Sequence, residues 1–532
     1  MQNSLPDVNF VPQQLAPETL VSKSASVCLK RKGGLCLSIE PDSASWTVLP
    51  PLYLQFWNKL PKACTWQQVQ ELEHPFSVEK RQDVLIKLHQ RNFVSFNGHL
   101  YRNPERLFRR QNTYPSLICF HITEACNLAC RYCMADAHPS KAAMSMETFK
   151  FIINKVLHEL PNAGFTIDFH GGEPMLAFNK IEEAINYTEQ INRKEKLGKE
   201  LCYSFQTNGT LFNADNIKRI LQLPNLAIGI SLDGPQEVQD ENRVFARNIK
   251  QTDSKAPRDP QSPIPGKGDA ISHEDGTFNK VMENFRLASQ MGLNLGILGV
   301  IHNPRDYIKS FNFFADDLKL RTFRLNYSSY IGRSARLLDF PLDRAADFAE
   351  CWLAMIDHAY AYAKEHDICF NISDINNQLN NLVRRDRPFM CYRSPCGAGN
   401  SILGFATDGS IHACEEMASS GACRLAGIFD PGLNLKDLME ESPLIAQLNQ
   451  RSVDNIPRCR RCVYRRFCTG GCTSKVLAFF GDIRHESPMC GYFQKVFEGL
   501  MLRLYEHPDM VHYLGGPDLK DYTFTPCFQP EQ

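Results

Sequence analysis

Leu117-Ile-Cys119-Phe-His-Ile-Thr123-Glu-Ala-Cys126-Asn-Leu-Ala-Cys130-Arg-Tyr132-Cys133 is the stretch that decides how the chain is read. Its first half is an apolar run of strand length. Its second half carries three cysteines spaced C-x3-C-x2-C. Three thiolates this close can hold three corners of a cubane [4Fe–4S] cluster and leave the fourth iron without a protein ligand. A structural cluster normally has four cysteines, so a three-cysteine loop suggests an iron reserved for chemistry. A zinc site is the competing reading of the same spacing.

Composition narrows the class. The chain has 532 residues, enough for several domains, and its 43% hydrophobic content supports full-sized cores. Formal net charge is zero, so no bulk attraction to nucleic acid or membrane is implied. No basic stretch followed by an apolar core opens the chain, and no apolar run approaches the ~20 residues of a spanning helix. The expectation is a soluble, cytoplasmic protein. Twenty cysteines are then unusual unless many bind metal, and their tight clustering favours metal over a disulfide framework.

Residues 1–30 show little periodicity and read as a flexible N-terminus. Residues 31–110 read as a winged-helix unit, with helices at Leu52–Lys59, Thr65–Leu72 and Ser77–Arg91. A hairpin follows over Phe93–Tyr101, because Asn97-Gly98 suits a type I′ turn. Over 111–340, strand-like runs alternate with helical patterns: Leu117–Thr123, Phe165–His170, Cys202–Thr207, Leu226–Leu232, Leu293–Ile301 and Phe323–Tyr327. That alternation predicts an α/β fold with a parallel barrel or part of one. The proline-rich segment 247–273 reads as a flexible insertion, with a substrate lid as the alternative. Residues 341–390 read as a helical bridge, and 391–532 as a cysteine-rich domain and tail.

Loops at the C-terminal ends of barrel strands build the active site. The first strand enters the cysteine loop, and the second ends at Gly171-Gly172-Glu173-Pro174. The third ends at Gln206-Thr207-Asn208-Gly209, and the fourth at Ser231-Leu-Asp233-Gly234 with Arg243 beyond. Together these resemble the motifs of the radical S-adenosylmethionine (SAM) enzymes, whose fold is a partial (β/α)6, TIM-like barrel. The resemblance implies that SAM chelates the free iron of the Cys126, Cys130 and Cys133 cluster and is cleaved to a 5′-deoxyadenosyl radical. It implies that Tyr132 completes the loop and that Gly171, Gly172, Glu173 and Pro174 bring a bare backbone edge to the SAM amino group. Thr207 and Asn208 would lie near ribose and methionine, and Ser231 and Arg243 near the SAM carboxylate. Arg243 as a surface residue is the plainer alternative. The fifth strand would lie along the adenine or simply form barrel core. His170 stands where sulfatase-maturating relatives tend to have glutamine, which leaves it a SAM contact, a substrate contact or a structural histidine.

Further on, Cys396, Gly409 and Cys414 give C-x12-G-x4-C, and Cys459, Cys462, Cys468 and Cys472 give C-x2-C-x5-C-x3-C, followed by Cys490. This resembles the SPASM domain, the auxiliary-cluster module of radical SAM peptide maturases; paired zinc ribbons are the alternative. Cys391 resembles the extra ligand of fully coordinated relatives. The carried-over pattern puts Cys391, Cys396, Cys414 and Cys472 on one [4Fe–4S] cluster and Cys459, Cys462, Cys468 and Cys490 on another, three clusters in all. Without Cys391 the first auxiliary cluster would have an open iron. Glu415 falls where those relatives carry a general base; a solvent-facing pair with Glu416 is the alternative. Cys119, Cys202 and Cys351 read as core.

The resemblance implies a peptide substrate and an N-terminal domain that binds a leader peptide as an added strand. The expected activity is hydrogen abstraction from a ribosomally made precursor to install a thioether or carbon–carbon crosslink. An electron donor such as flavodoxin or ferredoxin would serve it. Formylglycine formation in a sulfatase is a second enzymatic reading, disfavoured by the N-terminal domain and His170. An iron–sulfur DNA-binding regulator is a reading of another class. Helix Ser77–Arg91 argues against it, since Lys80, Arg81, Lys87 and Arg91 are offset by Glu79 and Asp83.

Overall fold

The computed structural model describes residues 14–30, 32–102, 114–139, 142–246, 276–337, 344–384 and 389–528. The insertion at 247–273 lies outside the described residues.

The N-terminal strands are β1 (Leu20–Lys23), β2 (Val27–Lys30), β3 (Cys36–Glu40), β4 (Ser45–Leu49), β5 (Ala63–Thr65) and β6 (Val94–Phe96). They form two antiparallel sheets, ordered β5-β1-β6 and β2-β3-β4. Helices Pro51–Lys59, Trp66–Gln70 and Val78–Gln90 accompany the first sheet and bury Phe56, Val69, Val84, Leu85 and Leu88 with Val21 and Phe93. Thr65 and Gln68 close a capping box on the second helix, and the Ser77 hydroxyl caps the third. Asn97 and Gly98 both adopt positive φ, as a type I′ turn requires.

The structure differs from the expectation in two places here. Leu20–Lys23, within the span read as a flexible N-terminus, is the central strand of its sheet. Its partners lie about 40 and 75 residues further along the chain, so no local period announces it. The β3–β4 hairpin serves two cores: Cys36 and Leu49 join that of the helical unit. Leu37, Ile39, Trp46 and Val48 belong to the large core of the barrel, and Trp46 Nε1 donates to the Leu382 carbonyl at 3.0 Å. The span 31–110 is therefore divided between two cores.

Arg81, one of the basic residues of the third helix, is buried and donates to the carbonyls of Val69, Gln70, His74 and Phe76. It braces the helical unit from within.

The central sheet continues with β7 (Leu117–Thr123), β8 (Gly164–Gly171), β9 (Glu200–Thr207), β10 (Leu226–Ser231), β11 (Leu295–Ile301), β12 (Thr322–Tyr327), β13 (Asn371–Ile372), β14 (Ile402–Phe405), β15 (Ser410–His412) and β16 (Arg424–Gly427). Strands β7 to β12 are parallel and adjacent in chain order, each pair joined through helix, the (β/α)6 partial barrel. On β7, Ile118, Phe120 and Ile122 join the core against helix Met146–Glu159, which the Ser145 hydroxyl caps. The opposite face of the same strands points into the lumen.

β14 pairs in parallel with β7, so the cysteine-rich region begins as an extension of the barrel sheet, and β15 and β16 follow antiparallel. Helix Arg344–His366 packs along helix Cys490–Glu506 and buries Trp352 and Tyr492 between them, with Arg503 paired to Asp357. These contacts fix the far end of the cysteine-rich region to the barrel.

Candidate active site

The cysteine loop leaves the end of β7. Cys126 is buried, and burial together with the neighbouring Cys130 pushes its thiol up to about 12. Burial pushes the Cys130 thiol up to about 11, with Arg243 acting in the opposite direction. All three thiols are free of disulfides. Buried, mutually opposed thiols become thiolates when they ligate a metal. Arg243 Nη1 lies 3.9 Å from Cys130 Sγ, and Asn208 Nδ2 lies 4.0 Å from Cys126 Sγ. Donors aimed at cluster sulfurs tune such sites, so the set fits an iron–sulfur cluster.

The two glycines bring β8 against this loop. Gly171 has φ +128°, and a Cβ there would sit 1.8 Å from the Thr123 carbonyl oxygen; at Gly172 it would sit 2.2 Å from that of Ala125. The close approach is held by Gly172 N–H donating to Thr123 and Glu173 N–H donating to Ala125, each at 2.8 Å. Glu173 is fully buried, and its carboxylate accepts from Thr207 Oγ1 at 2.6 Å and from the amides of Asn208 and Met175 at 2.7 and 2.9 Å. Burial raises the Glu173 pKa, while these three bonds oppose the rise. Glu173 and Thr207 thus strap β8 to β9. Pro174 starts the buried turn that follows. Asn208 reaches Asn127 of the cysteine loop, and Ser231 Oγ accepts from Gln206.

Arg243, expected near the SAM carboxylate, lines the large cavity and is buried, not the surface residue of the plainer alternative. Its Nε donates to both oxygens of Asp233 at 3.2 Å, and its guanidinium lies over the Tyr132 ring. Asp233, fully buried, also accepts from the Tyr132 hydroxyl and from the Val300 amide. A buried cation needs a buried partner, and Asp233 supplies it. Asp233 was in the quoted motif but unassigned. Arg333, equally missed, donates to the carbonyls of Cys130 and Ala137 at 2.8 and 2.6 Å and locks the loop from 200 residues away. Local spacing carried no signal for it.

A cavity of about 1440 Å³ runs from Cys126, Cys130 and Cys133 through the lumen to Cys391, Cys396, Cys414 and Cys472. Its volume exceeds the roughly 300–1,000 Å³ of ordinary small-ligand sites. A second cavity of about 910 Å³ gathers Cys459, Cys462, Cys468 and Cys490. Cys468 touches both cavities. Burial pushes the Cys459 thiol up to about 12, with Cys490 and Cys462 adding to the rise, whereas Cys391 stands exposed at the cavity wall. Gln494 Nε2 lies 3.7 Å from Cys490 Sγ and 3.8 Å from Cys462 Sγ. Arg451, also missed, is buried and donates to the carbonyls of Gly470, Gly471, Ile483 and His485. It braces the chain between the two tetrads. Both cysteine sets fit four-cysteine clusters in donor chemistry.

Of the three cysteines read as core, two are corrected. Cys119 is buried as expected, on the lumen face of β7, where it also lines the large cavity. Cys202 is exposed and Cys351 only half-buried. Cys28 and Cys36 form a disulfide across β2 and β3, one bridge between neighbouring strands and not the framework that the cysteine spacing disfavours.

His170 and Glu415 meet at the middle of the large cavity. His170 Nδ1 lies 3.2 Å from Glu415 Oε1, and Nε2 lies 3.6 Å from Asp168 Oδ2, while the Ser204 hydroxyl donates to Asp168 Oδ1. Burial pushes Glu415 up to about 7, and His170 opposes that rise. His170 is disfavoured as a cation by burial, but Glu415 and Asp168 outweigh this and raise its pKa. Glu415 is thus turned inward, and Glu416 Oε2 accepts from Cys472 Sγ at 3.2 Å, so neither forms a solvent-facing pair.

The three-cysteine loop at the mouth of a parallel partial barrel defines a SAM- and iron–sulfur-dependent radical enzyme. The Radical SAM superfamily pattern matches residues 120–314. A cysteine-type anaerobic sulfatase-maturating enzyme of Clostridium perfringens (strain 13 / Type A) is 30% identical over 370 residues, 67% of this chain and 88% of the relative. An uncharacterized protein of Archaeoglobus fulgidus is 26% identical over 382 residues, 70% of this chain and 78% of its own length. The solved structure of anSMEcpe with bound AdoMet and Cp18Cys peptide superposes with TM-score 0.59 at 20% identity, over 74% of this chain and 99% of that one. The chain belongs to the radical SAM superfamily, in the family that contains the anaerobic sulfatase-maturating enzymes. No helix among the described residues is long and apolar enough to cross a membrane.

Proposed function

We propose that this enzyme abstracts a hydrogen from a ribosomally made precursor peptide and installs a thioether or carbon–carbon crosslink. The observation that carries the reading is the large cavity, which joins the three-cysteine site to the first cysteine tetrad and has room beyond the cofactor. SAM and its cluster, held by Cys126, Cys130 and Cys133, supply the hydrogen-abstracting radical. The protein's part is to hold the peptide carbon in line and exclude water. Asn208, Ser231 and the backbone of Gly171 and Gly172 line the SAM end. Arg243 acts there through Asp233 and Tyr132, as a positioning residue.

Two auxiliary clusters, held by the tetrads that include Cys391 and Cys490, would accept the electron released as the product bond closes. Glu415, backed by His170, is placed to take the proton lost from the peptide. The relatives' printed names, sulfatase-maturating and peptide-bound, support a peptide substrate. The N-terminal sheet offers β5 and β6 as edges on which a leader segment could add as a strand. A flavodoxin- or ferredoxin-type donor would supply the electron. The test is to co-express the protein with the peptide of a neighbouring small open reading frame and analyse that peptide by mass spectrometry. The expected product has lost the two hydrogens that a new bond removes. An unmodified peptide alongside active SAM cleavage would refute the crosslink.

A further inference from the structure

The lumen carries a donor set of different chemistry from the thiols. His121 on β7, His170 on β8 and Glu415 after Cys414 each offer one ligand atom, and these atoms all lie within 4.8 Å of one another. Bonds of about 2.0–2.1 Å to one ion hold ligand atoms no more than about 4.2 Å apart, so side-chain rotation would draw the set slightly inward as the ion binds. The two imidazole rings stack at 6.1 Å, so neither blocks the other's approach. Behind the set, Asp168 Oδ2 faces the far nitrogen of His170 at 3.6 Å, and the Ser204 hydroxyl holds Asp168 at 2.5 Å. A carboxylate on the far ring nitrogen is what orients a metal-ligating histidine and fixes its tautomer. In front, His170 and Glu415 line the large cavity. Two imidazoles and one carboxylate suit a borderline ion, and three protein ligands leave a position for a fourth donor.

We propose that His121, His170 and Glu415 bind a divalent cation of the zinc class, with its open position facing the substrate cavity. Such an ion would lower the pKa of a hydroxyl, thiol or amide donor bound to it. The inference goes beyond the crosslinking reading, which needs only a proton acceptor at this place.

The test uses the anaerobically prepared holoenzyme, equilibrated with zinc and then passed over a chelating resin. Metal analysis should find about one zinc per chain beyond the iron, and X-ray absorption at the zinc edge should show nitrogen and oxygen ligands only. His121→Gln and His170→Gln should each retain about a tenth of that zinc or less, and Asp168→Asn should weaken affinity by about 10–100-fold. Iron and sulfide content should be the same in all four proteins, which shows that the variants fold and load. Substoichiometric zinc in the parent enzyme, zinc ligated by sulfur, or histidine variants that keep as much zinc as the parent would overturn the proposal. Each of those outcomes leaves the Glu415–His170 pair available as proton acceptor. Conversely, failure to modify a peptide says nothing against the bound ion, so the two readings fail separately.

Discussion

Asp233 gathers the Tyr132 hydroxyl, the Val300 amide and the Arg243 guanidinium into one buried cluster beside the cysteine loop. Asp233→Ala leaves Arg243 as an uncompensated buried cation, which costs about 3–5 kcal/mol. Denaturant unfolding of the loaded enzyme should show that loss, and an unchanged midpoint would mean that Arg243 finds another partner. Gly171→Ala should act differently. Its Cβ would collide with the Thr123 carbonyl at 1.8 Å, so β8 and the cysteine loop must separate. The expected result is an iron content lower by about four per chain while the auxiliary clusters stay loaded; full iron content would contradict it. At this scale the grouping of Cys126, Cys130 and Cys133 was legible, because all three lie within one loop. Asp233, Arg333 and Arg451 were not. Each acts on backbone or side chains far along the chain, and sequence spacing cannot express such contacts.

Strands β7 to β12 were legible as elements because a doubly covered parallel strand is a short apolar run between turn signals. β1 was not, since four residues carry too little pattern and its partners are remote. The β3–β4 hairpin has a practical consequence. Trp46 donates to Leu382 and stacks on Phe524 at 5.6 Å, tying the N-terminal segment to both the helical bridge and the C-terminal tail. Trp46→Ala should therefore destabilise the barrel by about 3–5 kcal/mol, read from thermal or denaturant unfolding. Removing residues 1–110 would strip this hairpin from the core as well as the proposed leader-binding sheet. A truncation beginning after β4 keeps Leu37, Ile39, Trp46 and Val48 out of the chain too, so an internal deletion of 51–102 is the cleaner probe. It should weaken precursor binding while SAM cleavage without peptide persists, and unchanged precursor affinity would remove the leader-binding role.

At the scale of the whole molecule, the cysteine-rich region is continuous with the barrel through the β7–β14 pairing. One tetrad lines the end of the large cavity, and the other gathers at the second cavity, with Cys468 touching both. The interleaving of Cys472 and Cys490 between sets was expected from the resemblance, whereas the shared sheet was invisible to local patterns. The central claim is that three cysteine sets hold three clusters, only the first of which serves SAM. Iron and sulfide analysis of the anaerobically reconstituted enzyme, beside its Cys126→Ala, Cys130→Ala, Cys133→Ala triple variant, tests this most directly. The account predicts about twelve irons per chain in the parent and about eight in the variant; about four in the parent would contradict it.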